Sequence, residues 1–200
     1  MKKKIRKILL GTSTDLFFPQ NAIEDGKFKI YFYGHLIPLQ GQEYILEAAC
    51  LLEKHDDIVF LMGGSVAKKK YDDGSFKNVI FKENVFKEKL AEDIQGSDVC
   101  LGIFGDTIKS KRVIPNKIYD YVACRKPVIT ADTPAIRELF DENDLYLVPT
   151  ANSEALAKAI LKLKEDSDLR EKLAENSYNK FTQNCTPKIL GKELLKIISF

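Results

Sequence analysis

No stretch of the 200-residue sequence approaches the roughly 20 consecutive apolar residues that span a bilayer, so an integral membrane protein is not expected. The start is charged, but only Ile8, Leu9 and Leu10 precede Gly11, too few for the core of a secretory signal. Cysteine and histidine are scarce. Cys50, Cys100, Cys124 and Cys185 form no C-x-x-C pair, and His35 and His55 stand at no metal-ligand spacing from them. No metal or cofactor is therefore expected. Cys50, Cys100 and Cys124 sit among apolar residues and are expected to be small buried hydrophobes in a reducing cytoplasm. A strong charge of either sign is also lacking: 31 basic residues face 29 acidic ones. Lys2, Lys3, Lys4, Arg6 and Lys7 hold five positive charges without an acid, which leaves the body slightly acidic. That balance argues against a broad nucleic-acid surface.

Internal repeats, low-complexity tracts and long Gly/Ser linkers are missing too. What remains is 44% hydrophobic and 30% charged, the composition of one ordinary globular domain. Along it, strand-like and helix-like runs alternate. The expected strands are 28–33, 58–62, 79–81, 99–104, 127–130 and 145–148. Helical spacing marks 41–54, 86–94, 115–124 and 134–140, and then 153–163, 168–181 and 188–198. Gly63-Gly64-Ser65 breaks the second strand, and the polar run from Lys68 to Gly74 reads as a loop. The strands are continuously apolar and their connections too long for hairpins. The expected fold is therefore α/β, a doubly wound parallel sheet with extra C-terminal helices. Residues 1–27 read as a basic start and linker-like segment, and 28–200 as the α/β domain with those helices. Ligands of such sheets sit at the carboxyl ends of the strands, here after Tyr33, Met62, Phe81, Phe104 and Thr130.

One segment carries the clearest chemistry, running from Val113 and Ile114 through Pro115, Asn116 and Lys117 to Asp120. It reads as a loop opening into a helix, with unpaired first-turn amides and the positive end of the helix dipole around Asn116 and Lys117. Such a terminus suits a diphosphate. Lys109, Lys111 and Arg112 precede it, and Asp120 follows Lys117 by about one turn, so all are expected at one crevice. His35 follows the first strand into the same crevice. Gly63 and Gly64 read mainly as a turn, Phe81 as core and His55 as solvated.

Several segments together resemble the donor-binding, C-terminal half of GT-B-fold, group 1 retaining glycosyltransferases. The turn and strand from Ala123 to Ile129 are similar to the family's A-x-G-K-P-V-I. Gly34 to Gly41 resembles its first glycine loop, Ser97 to Gly102 its fourth strand, Asp132 to Glu138 a later turn, and Gly11 to Pro19 its interdomain linker. The resemblance implies a Rossmann-like domain that binds a nucleotide-diphosphate sugar through Gly34, His35, Gln40, Lys109, Val113, Ile114, Pro115, Asn116 and Asp120. It also implies glycosyl transfer, and in this sequence Arg112 and Lys117 are the residues expected to neutralise the leaving diphosphate, so that no metal is needed.

The same resemblance puts the family's ribose-gripping glutamate at Asp120 and its sugar-contacting glutamate at Arg112. The family's phosphate-neutralising arginine and lysine fall at His35 and Gln40. Two outcomes are compatible with these departures: lysines and arginine supply the charge from the opposite side of the crevice, or the chain is a non-catalytic nucleotide-sugar-binding or regulatory module. An N-terminal acceptor domain, in cis or as a separate chain, is the expected partner. The setting implied is cytoplasmic polysaccharide biosynthesis with a glycan or lipid-linked acceptor. The lysines among Leu and Ile in the C-terminal helices are compatible with peripheral membrane association, but Glu171, Glu175 and Glu193 dilute that charge, so packing against the sheet or a partner is the expectation.

Overall fold

A computed structural model describes residues 6–20, 25–64, 70–83 and 86–198. Six strands form one sheet: β1 (Phe28–Tyr33), β2 (Ile58–Gly63), β3 (Val79–Lys82), β4 (Val99–Leu101), β5 (Val128–Ala131) and β6 (Tyr146–Val148). All pairings are parallel, in the order β3-β2-β1-β4-β5-β6. The chain thus winds outward in one direction from β1 and in the other from β4. Between those two strands a crevice opens at the carboxyl end of the sheet.

The helices are α1 (Gln42–Leu51), α2 (Lys87–Gln95), α3 (Asn116–Ala123), α4 (Ser153–Glu165), α5 (Ser167–Asn184) and α6 (Pro187–Ile198). Strand parity assigns the two cores. Ile30 and Phe32 face α1 and α4, packing with Ile45, Ala49, Leu156 and Ile160. Tyr31, between them in sequence, points the other way, onto Ile94 of α2, Tyr121 and Val122 of α3 and Phe181 of α5. Both sheet faces are therefore covered, and Ile30, Tyr31 and Phe32 are all fully buried. Each such side chain contributes about 1.5–3 kcal/mol of burial. Two helix starts are capped by side chains: Asn152 accepts from the Ala155 N–H at 2.8 Å, and Asp166 from the Leu169 N–H at 2.9 Å.

Several sequence expectations shift. Strand β4 ends at Leu101, and beyond it Phe104 donates its N–H to the Gln40 carbonyl of the first-strand loop instead of to a neighbouring strand. The stretch 134–140 holds only a 3-10 turn, Ile136–Glu138, started by the Thr133 hydroxyl accepting the Ile136 N–H at 3.3 Å. Short 3-10 turns also form at Pro38–Gln40 and Ser110–Arg112. Cys50 is exposed on the outer side of α1, while Cys100, Cys124 and Cys185 are buried. His55 is half-buried rather than solvated, and its Nε2 lacks a hydrogen-bond partner.

The described part of the linker-like segment, 6–20, packs on the domain. Phe17 enters the core, and Gln95 donates to the Phe18 carbonyl at 2.9 Å. A Cβ on Gly11 would strike the Cys185 carbonyl. Lys2, Lys3, Lys4, Ser65, Lys68 and Lys69 lie outside the described residues.

Candidate functional site

At the carboxyl ends of β1 and β2, a cavity of about 650 Å³ opens over the start of α3. The first-strand loop brings Gly34, His35 and Gln40 to it, and the segment before α3 brings Arg112, Val113, Ile114, Pro115, Asn116 and Lys117. Backbone geometry explains how two distant pieces meet. The Pro38–Gln40 turn closes onto Gly41, whose φ of 65° is left-handed. A Cβ there would lie 2.5 Å from the Gly105 nitrogen, so the β1 and β4 loops touch only because this residue is glycine. The Gln40 carbonyl then accepts the Phe104 N–H at 3.1 Å. Buried Gln42 donates to the Gly34 and His35 carbonyls at 3.3 and 3.2 Å, holding the loop from below. Gly64, at φ 139°, passes close to the Gly34 carbonyl and also lines the cavity.

On the opposite wall, Thr107 and Ser110 tie their loop with reciprocal bonds. The Ser110 hydroxyl donates to the Thr107 carbonyl at 2.7 Å and accepts the Thr107 N–H at 2.9 Å. This delivers exposed Arg112 to the cavity rim. Val113 is extended, Pro115 keeps an extended ψ of 145°, and α3 begins at Asn116 with no side chain capping it. The helix therefore presents an uncapped positive end to the cavity.

Lys117 is the most unusual group. It is only 4% exposed, yet no carboxylate among the described residues pairs with it. Its Nζ donates to Gln40 Oε1 at 2.5 Å and lies 3.7 Å from the centre of the Phe32 ring. Burial pushes its pKa well below the ordinary lysine value. Gly34 leaves the room for this: a Cβ there would stand 3.0 Å from the Lys117 amine. The amine is thus held by a neutral amide and a ring face, with no carboxylate among the described residues competing with an incoming anion.

Three expected residues, Lys109, Lys111 and Asp120, do not join. Lys109 is exposed and lies outside the cavity, because its loop turns it to solvent; neighbouring Lys111 pairs with Asp106 at 2.7 Å. Asp120 is buried one turn below the cavity, where its carboxylate accepts the Tyr33 hydroxyl and is hydrogen-bonded by the Thr12 side chain. Burial raises its pKa, and those two hydrogen bonds oppose the rise. Tyr33 thus stands between Asp120 and the cavity, its ring edge-on to Tyr121 at 5.7 Å. Phe81 is buried in the core, and Lys82 is bound to Asp93 at 2.6 Å.

Tyr33 and Glu138 were not expected to line the cavity, nor was the segment Lys7 to Leu10, which has no regular secondary structure. Lys7 pairs with Glu138 across one side of it. Only the hydrophobic character of Ile8, Leu9 and Leu10 hinted that this segment would pack against something. Among the described residues, no helix is long and apolar enough to cross a membrane.

The geometry agrees with the comparisons to known proteins. The family model for "Glycosyl transferases group 1" matches residues 13–180. No curated protein matches the chain by sequence. Among solved structures, a sucrose-phosphate synthase from Thermosynechococcus elongatus superposes with a TM-score of 0.79 at 20% identity, over 97% of this chain and 52% of that one. Anabaena Alr3699/HepE in complex with UDP and glucose gives 0.77 at 16% identity, over 96% of this chain and 56% of that one. The C-terminal domain of a group 1 glycosyl transferase (LpcC) from Francisella tularensis gives 0.67 at 21% identity, over 86% and 97%. The chain thus spans about half the length of the first and second of these and nearly all of the third. With the family match covering most of its length and the fold that of a GT-B C-terminal domain, the chain belongs to the group 1 glycosyltransferases.

Proposed function

We propose that this chain is the nucleotide-diphosphate-sugar-binding domain of a glycosyltransferase that moves a sugar to a glycan or lipid-linked acceptor. The observation that carries the reading is the cavity at the β1–β4 crevice, lined by the uncapped start of α3, Arg112, His35 and the carboxylate-free Lys117. A diphosphate matches this set of donors, and HepE, which shares the fold, has been seen with UDP and with UDP-glucose.

In this reading the diphosphate lies over Asn116 and Lys117. The first-turn amides and the Arg112 guanidinium bind its oxygens, and Lys117 supports it from beneath Gly34. As the glycosyl–phosphate bond breaks, negative charge builds on the diphosphate, and the donors already aimed there stabilise it without reorganising. Losing one such donor typically costs about 3–4 kcal/mol of barrier. The acceptor belongs to an N-terminal domain, in cis or as a separate chain, with the work done at the cytoplasmic side of polysaccharide assembly. Peripheral membrane association would come through α6, where Lys188, Lys192 and Lys196 alternate with exposed Leu194, Leu195 and Ile198.

Calorimetry of the chain with UDP, GDP and their sugar conjugates tests the reading. Saturable binding of at least one is expected, weakened by Arg112→Ala. No binding to any nucleotide would sink it. Binding without transfer, once the acceptor domain is supplied, would make the chain the non-catalytic module instead.

A further inference from the structure

The other end of α3 carries a second cavity, of about 510 Å³, at the amino ends of β4 and β5. Lys126, Arg125, Arg170, Asp98, Ser167 and Glu171 contribute to its wall. Lys126 is 8% exposed, and among the described residues no carboxylate lies within ion-pair distance of its amine and no group accepts a hydrogen bond from it. Arg170 likewise makes no ion pair among the described residues, Asp166 acting on it only at longer range. Its Nη1 donates to the Leu163 and Lys164 carbonyls at 2.5 and 3.0 Å, while the guanidinium lies 5.4 Å from the Phe28 ring centre. Two cations on different elements thus line one cavity, neither of them in an ion pair among the described residues, with Asp98 acting on Lys126 only at longer range.

The acids nearby are otherwise occupied. Asp98 Oδ2 accepts the Lys29 N–H at 2.7 Å, leaving its other oxygen for a donor. Glu171 and Glu175 pair with Arg125, at 3.8 and 2.6 Å. Arg125 itself holds a left-handed φ of 53°, a conformation that favours glycine, and it stands where the resembling family motif has glycine. Leaving a buried lysine unpaired is costly. Burial lowers the Lys126 pKa and nearby Asp98 opposes that shift, so an anion bound at the amine would favour its charged form further.

We propose that this second cavity is a binding site for a small hydroxylated phosphomonoester, with the phosphate on Lys126 and Arg170 and a hydroxyl donating to Asp98. Two unpaired cations match a phosphomonoester, which is close to a dianion at neutral pH because its second pKa is about 6. The free Asp98 oxygen selects a ligand with a donor beside the phosphate. The site is separated from the donor cavity by the length of α3, about 12 Å for its 8 residues.

The test is calorimetry of the full chain with glycerol 3-phosphate, inorganic phosphate and glycerol. Glycerol 3-phosphate should bind saturably and more tightly than inorganic phosphate, and glycerol should not bind. Lys126→Met should weaken the ester by about tenfold or more, the loss of one charge-assisted hydrogen bond, with UDP affinity unchanged. Arg112→Ala, in the donor cavity, should leave ester binding intact. Should Lys126→Met fail to fold, Lys126→Gln replaces it, with the same expectation. Absence of saturable binding by either anion overturns the site, as does binding undiminished by the Lys126 variant or lost in Arg112→Ala. Equal affinity for phosphate and its ester overturns the role given to Asp98.

Discussion

Replacing Lys117 with methionine separates a lysine kept for binding from one kept for packing. Lys117 is 4% exposed, and among the described residues its one hydrogen-bond acceptor is the neutral Gln40 amide. Methionine has a similar volume and needs no solvation. Substituting buried charges with apolar side chains of similar volume ranges from neutral to about 1–4 kcal/mol stabilising. Against this stands the loss of one hydrogen bond at about 1 kcal/mol, and Gln40 is only half-buried, so water can satisfy its amide. Lys117→Met should therefore keep or raise the unfolding midpoint in urea. Its UDP affinity should nevertheless fall by about 10- to 100-fold, the worth of a hydrogen bond from a charged group.

The pH dependence has a definite sign. The folded-state pKa of Lys117 lies below its unfolded value of 10.5. Between the two, the unfolded chain holds the extra proton, so wild-type stability gains as pH rises through that window; below it the burial penalty is fully present. The stability advantage of Lys117→Met should therefore be largest at low pH and shrink toward pH 10.5. Buried Tyr31 and Tyr33, whose pKa values are raised, titrate alike in both proteins and cancel in the difference. Denaturation curves at several pH values and calorimetry with UDP supply both readings. A midpoint loss of more than about 1 kcal/mol with unchanged UDP affinity would refute the reasoning, since Lys117 would then be a packing residue.

Further outcomes follow from the same geometry. Arg112→Ala should lower UDP affinity about tenfold with little change in melting temperature, because the side chain is exposed at the rim; unaltered calorimetry would remove it from the site. Asp120→Ala strands the Tyr33 hydroxyl in a buried setting and should cost about 1–3 kcal/mol in urea denaturation. UDP affinity should survive that change, and a tenfold drop would mean that the Tyr33–Asp120 contact opens to the ligand. Gly41→Ala forces a left-handed alanine against the Gly105 backbone. A stability loss above about 2 kcal/mol is expected, or roughly 4–8 °C in melting temperature, and a melting temperature equal to wild type would contradict the close loop approach.

Much of the fold was legible because strand–helix alternation is a local property. Short, largely apolar runs such as Phe28 to Tyr33 and Ile58 to Met62, rich in β-branched and aromatic residues and ended by glycine, suit strands covered on both faces, and both form them. The stretch 134–140 misled because its apolar spacing resembles a helix, yet Thr133 accepts the Ile136 N–H and confines it to one 3-10 turn. Cys50 misled because its apolar neighbours belong to the opposite face of α1. In the candidate site, the uncapped helix start at Asn116 and the cations before it were visible as a pattern of residue types. Lys109 was not separable from Arg112 by that pattern, since the Thr107–Ser110 bonds decide which one reaches the cavity.

The chain alone determined the elements, their parallel arrangement and the positive end of α3, because these depend on neighbours within a few residues. Only the tertiary structure decided that Lys117 is buried against Gln40, 77 positions away, and that Tyr33 covers Asp120. It alone left Lys126 unpaired in a second cavity. Burial and charge pairing are set by what distant segments bring together, and spacing along one segment carries no record of them.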